Sequence, residues 1–374
     1  MLRTLTIIAL AIQTGIYNGG VRMKSEIVER LADTGKRMSN MRSPEMVALA
    51  KVEAAMLAGA RKAFERGGYT EISVPHLTRA TGACENFDTL FETDYFGSPA
   101  YLSQTGQLYL EAFVPELDRV CCIGPSFRAE PKADDRHLTE FTLLEIELQC
   151  DLPQLRTEIE QIIFGMTQEA IGRTERELES LGVNTNDLAE KVIHPFPVIS
   201  YTDAVKALQK EYPELKWGDD LRSQHERTLV EYAGNMPLFV THFPQEIKFF
   251  NMRVNRENNT VVNSMDLLLP YGGEAVGSAE REEDAGILEK RLRESSMVDR
   301  IIARKSPNEW KGLSYDQQRD KAIDLFRWYI DFVKQNPVRH AGCGIGGTRV
   351  MQFLLESPDI RASTAYALNR ESIL

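Results

Sequence analysis

Three side chains, Arg128, Glu130 and Phe141, carry the first chemical signal in this sequence. They belong to the stretch Gly124 to Leu148, GPSFRAEPKADDRHLTEFTLLEIEL. Two β-like runs, Val120 to Glu130 and His137 to Leu148, flank a polar loop holding Pro131, Lys132, Asp134 and Asp135. The stretch therefore reads as an antiparallel strand, loop, strand unit. Alternate side chains on a strand share a face, which sets Arg128 beside Glu130 and puts Phe141 in line with Leu143, Glu145 and Glu147. A guanidinium fork grips phosphate and a flat ring stacks on a purine, so such a face suits a nucleotide. The same pattern also describes an exposed sheet face carrying surface ion pairs, and the residues alone leave both readings open.

The elements that must position this unit run through the rest of the chain. Ser43-Pro44 is a helix-start signal, apolar residues at helical spacing continue from Met46 to Phe64, and Gly67-Gly68 ends the helix before a strand that runs to Pro75. Between Asp151 and Met236 the pattern turns to long, charge-rich helical stretches such as Arg156 to Leu181, read as a helical insertion with a solvated face. Strand-like runs return in PLFVTHFPQEIKFFNMR and TVVNSMDLLLPYGGEAVGSAEREED. A helical stretch, Asp316 to Lys334, then precedes the glycine-rich RHAGCGIGGTRVMQFLL, which is neither a Walker nor a Rossmann pattern.

Composition bounds the answer. A chain of 374 residues, 43% apolar and 26% charged, can bury a large core as one big domain or two. The net charge of −11 speaks against a chain whose main task is holding a polyanion such as DNA, though not against a local basic groove. Five cysteines, Cys84, Cys121, Cys122, Cys150 and Cys343, have neither disulfide-framework nor zinc spacing and read as reduced thiols in a cytoplasm. The adjacent Cys121 and Cys122 read as filling of a buried strand. Leu5 to Ile12 is an apolar run too short to span a bilayer and without a clean cleavage pattern after it, so no membrane partner is expected; Met23 offers an alternative start.

FRAE, a loop, then RHLTEFTLLEIE resembles motif 2 of the class II aminoacyl-tRNA synthetases in their aspartyl/asparaginyl form. The resemblance runs from about Met41 to Leu355 and implies an α+β fold: an antiparallel sheet flanked by helices, with residues 1–40 as a lead-in, 41–374 as the catalytic domain and 151–236 as its helical insertion. It implies that Arg128 holds the α-phosphate of ATP, that Phe141 stacks on adenine, and that Arg136 and His137 reach the terminal phosphates, with Glu130 in the same ATP set. The helix and strand from Met41 to Leu77 resemble motif 1, which implies a homodimer. His340 to Arg349 resembles motif 3, which implies that Arg349 lies against adenine and the γ-phosphate. Asp266 and Glu274 match the family's magnesium ligands, hard oxygens for a hard cation. For the amino acid, Glu85 matches the mobile-loop glutamate that meets the α-ammonium, Gln107 a residue at the α-amino group, and Arg281 the arginine at the side-chain carbonyl. In QTGQLYLE the family's aspartyl members carry a lysine where Leu110 stands; Leu110-Glu111 matches the asparaginyl form, in which the glutamate accepts a bond from the amide NH2.

Four departures stand out. Glu85-Asn86-Phe87 replaces Glu-Gly-Gly, Arg339 replaces a proline, Ala365 to Arg370 replaces the family's Pro-Phe-Pro-Arg tail, and Pro131-Lys132-Ala133-Asp134-Asp135 replaces a basic loop that meets tRNA. Two added carboxylates beside a polyanion repel it. Only about forty residues precede motif 1, too few for the five-stranded anticodon-binding barrel. The expected function is therefore an adenylate-forming ligase that activates asparagine or a close analogue with ATP and magnesium, as a stand-alone paralogue whose acceptor is something other than, or in addition to, tRNA; transfer to tRNA stays open if the anticodon is ignored. Two alternatives remain: an ammonia-dependent asparagine synthetase acting on aspartate, against which Leu110 counts, and a non-catalytic amino-acid-binding regulator. Activation itself needs positioning and charge stabilisation from Arg128, Arg349 and magnesium, with no nucleophile or general base.

Overall fold

The computed structural model describes residues 25–78, 87–305 and 309–372. Leu5 to Ile12, Met23, Cys84 and Glu85 lie outside them. Eleven strands are described: β1 Thr70–Glu71, β2 Leu77–Thr78, β3 Glu92–Tyr95, β4 Ser98–Leu102, β5 Arg119–Phe127, β6 Glu140–Leu148, β7 Val198–Ser200, β8 Leu238–Thr241, β9 Ser264–Leu269, β10 Gly273–Glu280 and β11 Ala341–Gly346. Eight form one sheet in the order β1-β5-β6-β11-β10-β9-β8-β7, and β2-β4-β3 form a second. The main sheet is antiparallel except at its two ends, where β1 pairs with β5 and β7 with β8 in parallel.

The register of the central strands sorts side chains by face. Ile146 of β6 lies opposite Cys121 of β5 and Cys343 of β11, and all three point into the principal core. The next residue along β6 turns the other way, so Glu147, Glu145 and Leu143 face Gly342, Gly344 and Gly346 across the strand pair. One face is thus oily and the other carries carboxylates over glycine.

Two long helices cover the oily face. The first, α1 Pro44–Arg66, starts as expected: Ser43 Oγ accepts the Met46 N–H at 3.2 Å and Pro44 occupies the first turn, where a missing N–H costs nothing. The second, α2 Leu152–Leu181, opens with a reciprocal capping box between Asp151 and Gln154. They pack backbone to backbone, because a Cβ on Gly59 would stand 2.6 Å from the carbonyl oxygen of Gly165.

The segment 151–236, expected as a helical insertion, has two parts. Its first helix, α2, contributes Leu155, Ile159, Ile163 and Met166 to the principal core, so it is a structural layer of the domain. The remainder includes β7, an edge strand of the main sheet, and builds a smaller core around Tyr201, Val205, Leu229 and Val240. Mixed charge on the outer faces concealed the apolar stripe. Within this segment α3, Ser223–Tyr232, lies against β9 and β10.

Three boundaries also shift. The strand expected to run to Pro75 is only the two-residue β1. The stretch Asp316 to Lys334 is two helices, Tyr315–Asp324 and Arg327–Gln335, because Phe326 leaves helical geometry to bury completely in a core shared with Tyr329, Ile323 and Leu288. The described part of the lead-in, 25–40, is docked, with Leu31 fully buried and the Arg37 guanidinium donating to the carbonyls of Thr364 and Arg361 at 3.3 and 2.8 Å. Cys121, Cys122, Cys150 and Cys343 are all free and buried. Among the described residues no helix is long and apolar enough to cross a membrane.

Candidate active site

The glycine-and-carboxylate face of the sheet floors a cleft of about 620 Å³. Arg128, Glu130, Arg136, His137, Phe141, Gln107, Asp266, Glu274, Arg281 and Arg349 all line it, although they come from segments spread over more than two hundred residues. The floor is flat because Gly342, Gly344 and Gly346 put no side chain into it.

One end is cationic. Arg128 follows β5, its N–H bonding the Thr139 carbonyl at 2.9 Å, and its guanidinium carbon sits 5.4 Å from the centre of the Phe141 ring. Arg349, on the first turn of the helix Gly347–Leu355, donates to the carbonyls of Gly272 at 2.6 Å and Arg136 at 3.1 Å. The His137 ring bonds the Asp134 carboxylate at 2.9 Å. Burial pushes Asp134 up, but bonds from His137 and from the Arg136 and His137 backbone N–H groups outweigh it, so this acid sits below the ordinary aspartate range and stays charged.

The centre is where a metal would sit. Asp266 on β9 and Glu274 on β10 converge over Gly277: a Cβ there would lie 3.4 Å from Glu274 Oε1 and 3.9 Å from Asp266 Oδ1. Two carboxylates converging over a residue without a side chain fit a hard divalent cation. Asp266 also accepts a bond from Lys248 Nζ at 2.7 Å, and the Lys248 ammonium sits 4.0 Å from the centre of the Phe243 ring. Burial raises Asp266 to about 7, partly countered by Lys248.

The other end is acidic. Arg281 donates from Nε and Nη2 to Glu147, 3.2 Å for the Nε bond, and its Nε is 3.9 Å from Glu111. Glu111 does not reach the cleft. It is 1% exposed and accepts bonds from Gln107 Nε2 at 2.7 Å, Tyr329 Oη at 2.7 Å and His340 Nε2 at 3.1 Å. Leu110 is fully buried in an apolar cluster with Val74, Val114, Val120 and Cys122. Glu145 accepts from Thr105 Oγ1 and, at 2.7 Å, from the Gly106 N–H. Burial pushes Glu145 up and Glu147 up to about 7; Glu111, though fully buried, is drawn below its usual value by His340 and Arg281. His340 is raised in spite of burial, because Glu111 and Glu147 favour its cation.

Several cleft residues escaped the sequence. Glu226 from α3 reaches the cationic end, where its Oε2 accepts from Arg136 Nη2 at 3.1 Å and from the Glu274 N–H at 3.2 Å. Nothing local marks it among the charges of its helix. Lys248 did carry a signal, a cation among Ile247, Phe249 and Phe250; Tyr329, buried beneath the cleft on Glu111, carried none.

A sequence profile of the family described as tRNA synthetases class II (D, K and N) matches residues 31–370. The asparagine-tRNA ligase of Desulforamulus reducens is 34% identical over 328 residues, covering 87% of this chain and 70% of that protein. The asparagine-tRNA ligase of Pelotomaculum thermopropionicum is 34% identical over 348 residues, covering 92% of this chain and 74% of that protein. Among solved structures, asparaginyl-tRNA synthetase from Pyrococcus horikoshii complexed with asparaginyl-adenylate superimposes with a TM-score of 0.79 at 32% identity, covering 92% of this chain and 73% of that one.

Proposed function

Because the chain belongs to the class II tRNA synthetases of the D, K and N type, a family of adenylate-forming ligases, we propose that it activates asparagine with ATP. A carboxylate oxygen of asparagine attacks the α-phosphorus, the bond to the β-phosphate bridging oxygen breaks, and pyrophosphate leaves with the electron pair. Arg128 and Arg349 oppose the charge that builds on the α-phosphate, Arg136 and His137 hold the terminal phosphates, Glu130 belongs to the same ATP set, and Phe141 stacks on adenine. Magnesium, held by Asp266 and Glu274, would neutralise phosphate charge. In the wider family reading, Glu85 and Gln107 serve the α-ammonium and Arg281 the side-chain carbonyl, with Glu111 fixing Gln107 from beneath.

The observation that carries the choice of amino acid is the excess of carboxylate at the acidic end. Glu111, Glu145 and Glu147 face Arg281 and His340 in a nearly dry environment. The Arg281 guanidinium there is already bonded to Glu147 and Leu110 supplies no cation, so a substrate side-chain carboxylate would be buried without a counter-charge of its own, at a cost of several kcal/mol. A neutral carboxamide fits where aspartate does not.

The acceptor proposed is not tRNA. The loop between β5 and β6 stands at the cleft mouth with Asp135 exposed and Asp134 ionised, and it is tied down by bonds from the Ile360 N–H to the Asp135 carbonyl at 2.9 Å and from Arg370 to the Pro131 carbonyl at 3.1 Å. Asp134 and Asp135 on this fixed loop repel a phosphate backbone that comes close to them. A homodimer through α1 and a cytoplasmic setting complete the proposal.

Exchange of labelled pyrophosphate into ATP, run over all amino acids, tests the reading. Asparagine should support exchange and Arg128→Ala should abolish it with the melting temperature kept. Aspartate-only activity with ammonia-dependent AMP release would replace asparagine activation by side-chain amidation. Asparaginyl-tRNA formation at a rate near that of exchange would overturn the acceptor.

A further inference from the structure

We infer that Glu226 is a positioning residue for the triphosphate end of the cleft, holding Arg136 ready for the terminal phosphates of ATP and for pyrophosphate. This deepens the reading above and rests on it. Glu226 is 7% exposed and one of its oxygens, Oε2, ties together three segments distant in sequence: its own helix α3, the β5–β6 loop through Arg136 Nη2, and the β9–β10 turn through the Glu274 N–H. The turn is shaped to admit it. Gly273 adopts φ +64, and a Cβ there would stand 2.6 Å from Glu226 Oε2 and 2.9 Å from Arg136 Nη2.

A carboxylate next to a triphosphate site is unfavourable unless it does something there. Burial and the neighbouring Glu274 push Glu226 above the ordinary glutamate range, while Arg136 and Arg349 draw it back. What the carboxylate provides is order. The Arg136 side chain is 21% exposed, and without Glu226 its flexible stem would sample many rotamers, each of which must be given up when phosphate arrives. With Glu226 in place, the guanidinium is already aimed into the cleft, and its carbonyl is fixed by Arg349 at 3.1 Å.

Pyrophosphate exchange with separate KM values for ATP, pyrophosphate and asparagine tests this. Glu226→Ala should raise KM for ATP and for pyrophosphate by about tenfold, the usual effect of one lost charge-assisted hydrogen bond, with KM for asparagine within about twofold. Glu226→Gln, which still offers an acceptor to Glu274 N–H and Arg136, should recover most of the loss. In an Arg136→Ala background Glu226→Ala should add nothing further, because the residue through which it acts is gone. The rise in melting temperature that ATP alone produces should shrink in Glu226→Ala. A variant that melts earlier but keeps its KM for ATP and pyrophosphate would overturn the inference and leave Glu226 as a structural tie; so would additive effects in the Arg136→Ala background. If Glu226→Ala does not fold, Glu226→Met, which keeps the side chain's bulk but removes both acceptor oxygens, gives the same decision in the two backgrounds. Failure here differs from failure of the proposed function: with no asparagine-dependent exchange in the unmodified protein the function falls, whereas normal exchange with an indifferent Glu226 sinks only this inference.

Discussion

Substituting Gly342→Ala adds a single methyl group and should damage one end of the cleft while sparing the other. A Cβ at that position would lie 2.0 Å from the carboxyl carbon of Glu147 and 2.1 and 2.3 Å from its oxygens. The backbone itself offers no objection, since Gly342 is not among the glycines with positive φ. The cost lies in the carboxylate, which is 1% exposed and held by two guanidinium nitrogens of Arg281, so it cannot step aside without breaking its bonds to that buried cation. Breaking a buried pair in this way costs about 3–5 kcal/mol. For a chain of 374 residues, at about 2.1 cal/mol/K of unfolding entropy per residue, that is a fall in melting temperature of roughly 4–6 °C. Calorimetry reads the first effect, and pyrophosphate exchange the second: KM for asparagine should rise at least about tenfold, and KM for ATP should stay within about twofold. Gly344→Ala is the control. Its Cβ would meet only the Leu143 side chain, at 3.5 Å, an ordinary contact, and its melting temperature should stay within about one degree. Wild-type melting and asparagine KM in Gly342→Ala would refute the claim that glycine is required there by Glu147.

Other outcomes follow from the same geometry. Burial raises Glu147 from 4.5 to about 7, so the folded state keeps a proton that the unfolded chain releases; this contribution is complete below pH 4.5 and lost as pH rises through 7. Glu147→Gln should therefore gain on the wild type between pH 5 and 7, by up to about 3 kcal/mol at ~1.4 kcal/mol per unit, and parallel melting profiles would count against it. Phe141→Leu should raise KM for ATP by about tenfold, the value of one lost base-stacking contact, with KM for asparagine unchanged; equal effects on both would mean the ring does not see adenine. Gly59→Ala should shift the urea midpoint down by about 1–3 kcal/mol of stability, because α1 and α2 must separate to admit the methyl; an unchanged midpoint would show that the helices have slack there.

How much could be read beforehand depended on whether the physical reason for a residue is local. The strands β5, β6 and β11 were legible because alternation and glycine spacing are properties of the strand itself, and the cap at Ser43-Pro44 because capping is a property of four consecutive residues. Arg128, Phe141, Asp266, Glu274 and Arg349 come to one cleft from stretches that each carried a recognisable pattern. What stayed hidden depends on contacts between segments. The membership of α2 in the principal core follows from Gly59 and Gly165 meeting across two helices, which neither helix announces. Glu111 lay in a matched motif, yet Tyr329 and His340, more than two hundred residues later, turn its carboxylate away from the cleft and into a buried network.

In the proposed reaction, charge along the cleft would also favour one sense of substrate entry. Arg128, Arg136 and Arg349 cluster at one end, Glu145 and Glu147 at the other, with Asp266, Glu274 and Lys248 between them. ATP placed backwards would bring its phosphates against Glu145 and Glu147 in a poorly hydrated pocket, where Coulomb repulsion is several times stronger than in water. An α-ammonium at the arginine end would meet the same penalty with opposite sign. In the proposed reaction the field would therefore turn the amino acid's carboxylate towards the α-phosphorus before any specific hydrogen bond forms, and the flat floor of Gly342, Gly344 and Gly346 would let the two reacting groups lie along it. The glycines and the charges serve one purpose: a side chain on the floor would hold the reactants apart, and a uniform charge would let them bind in either sense.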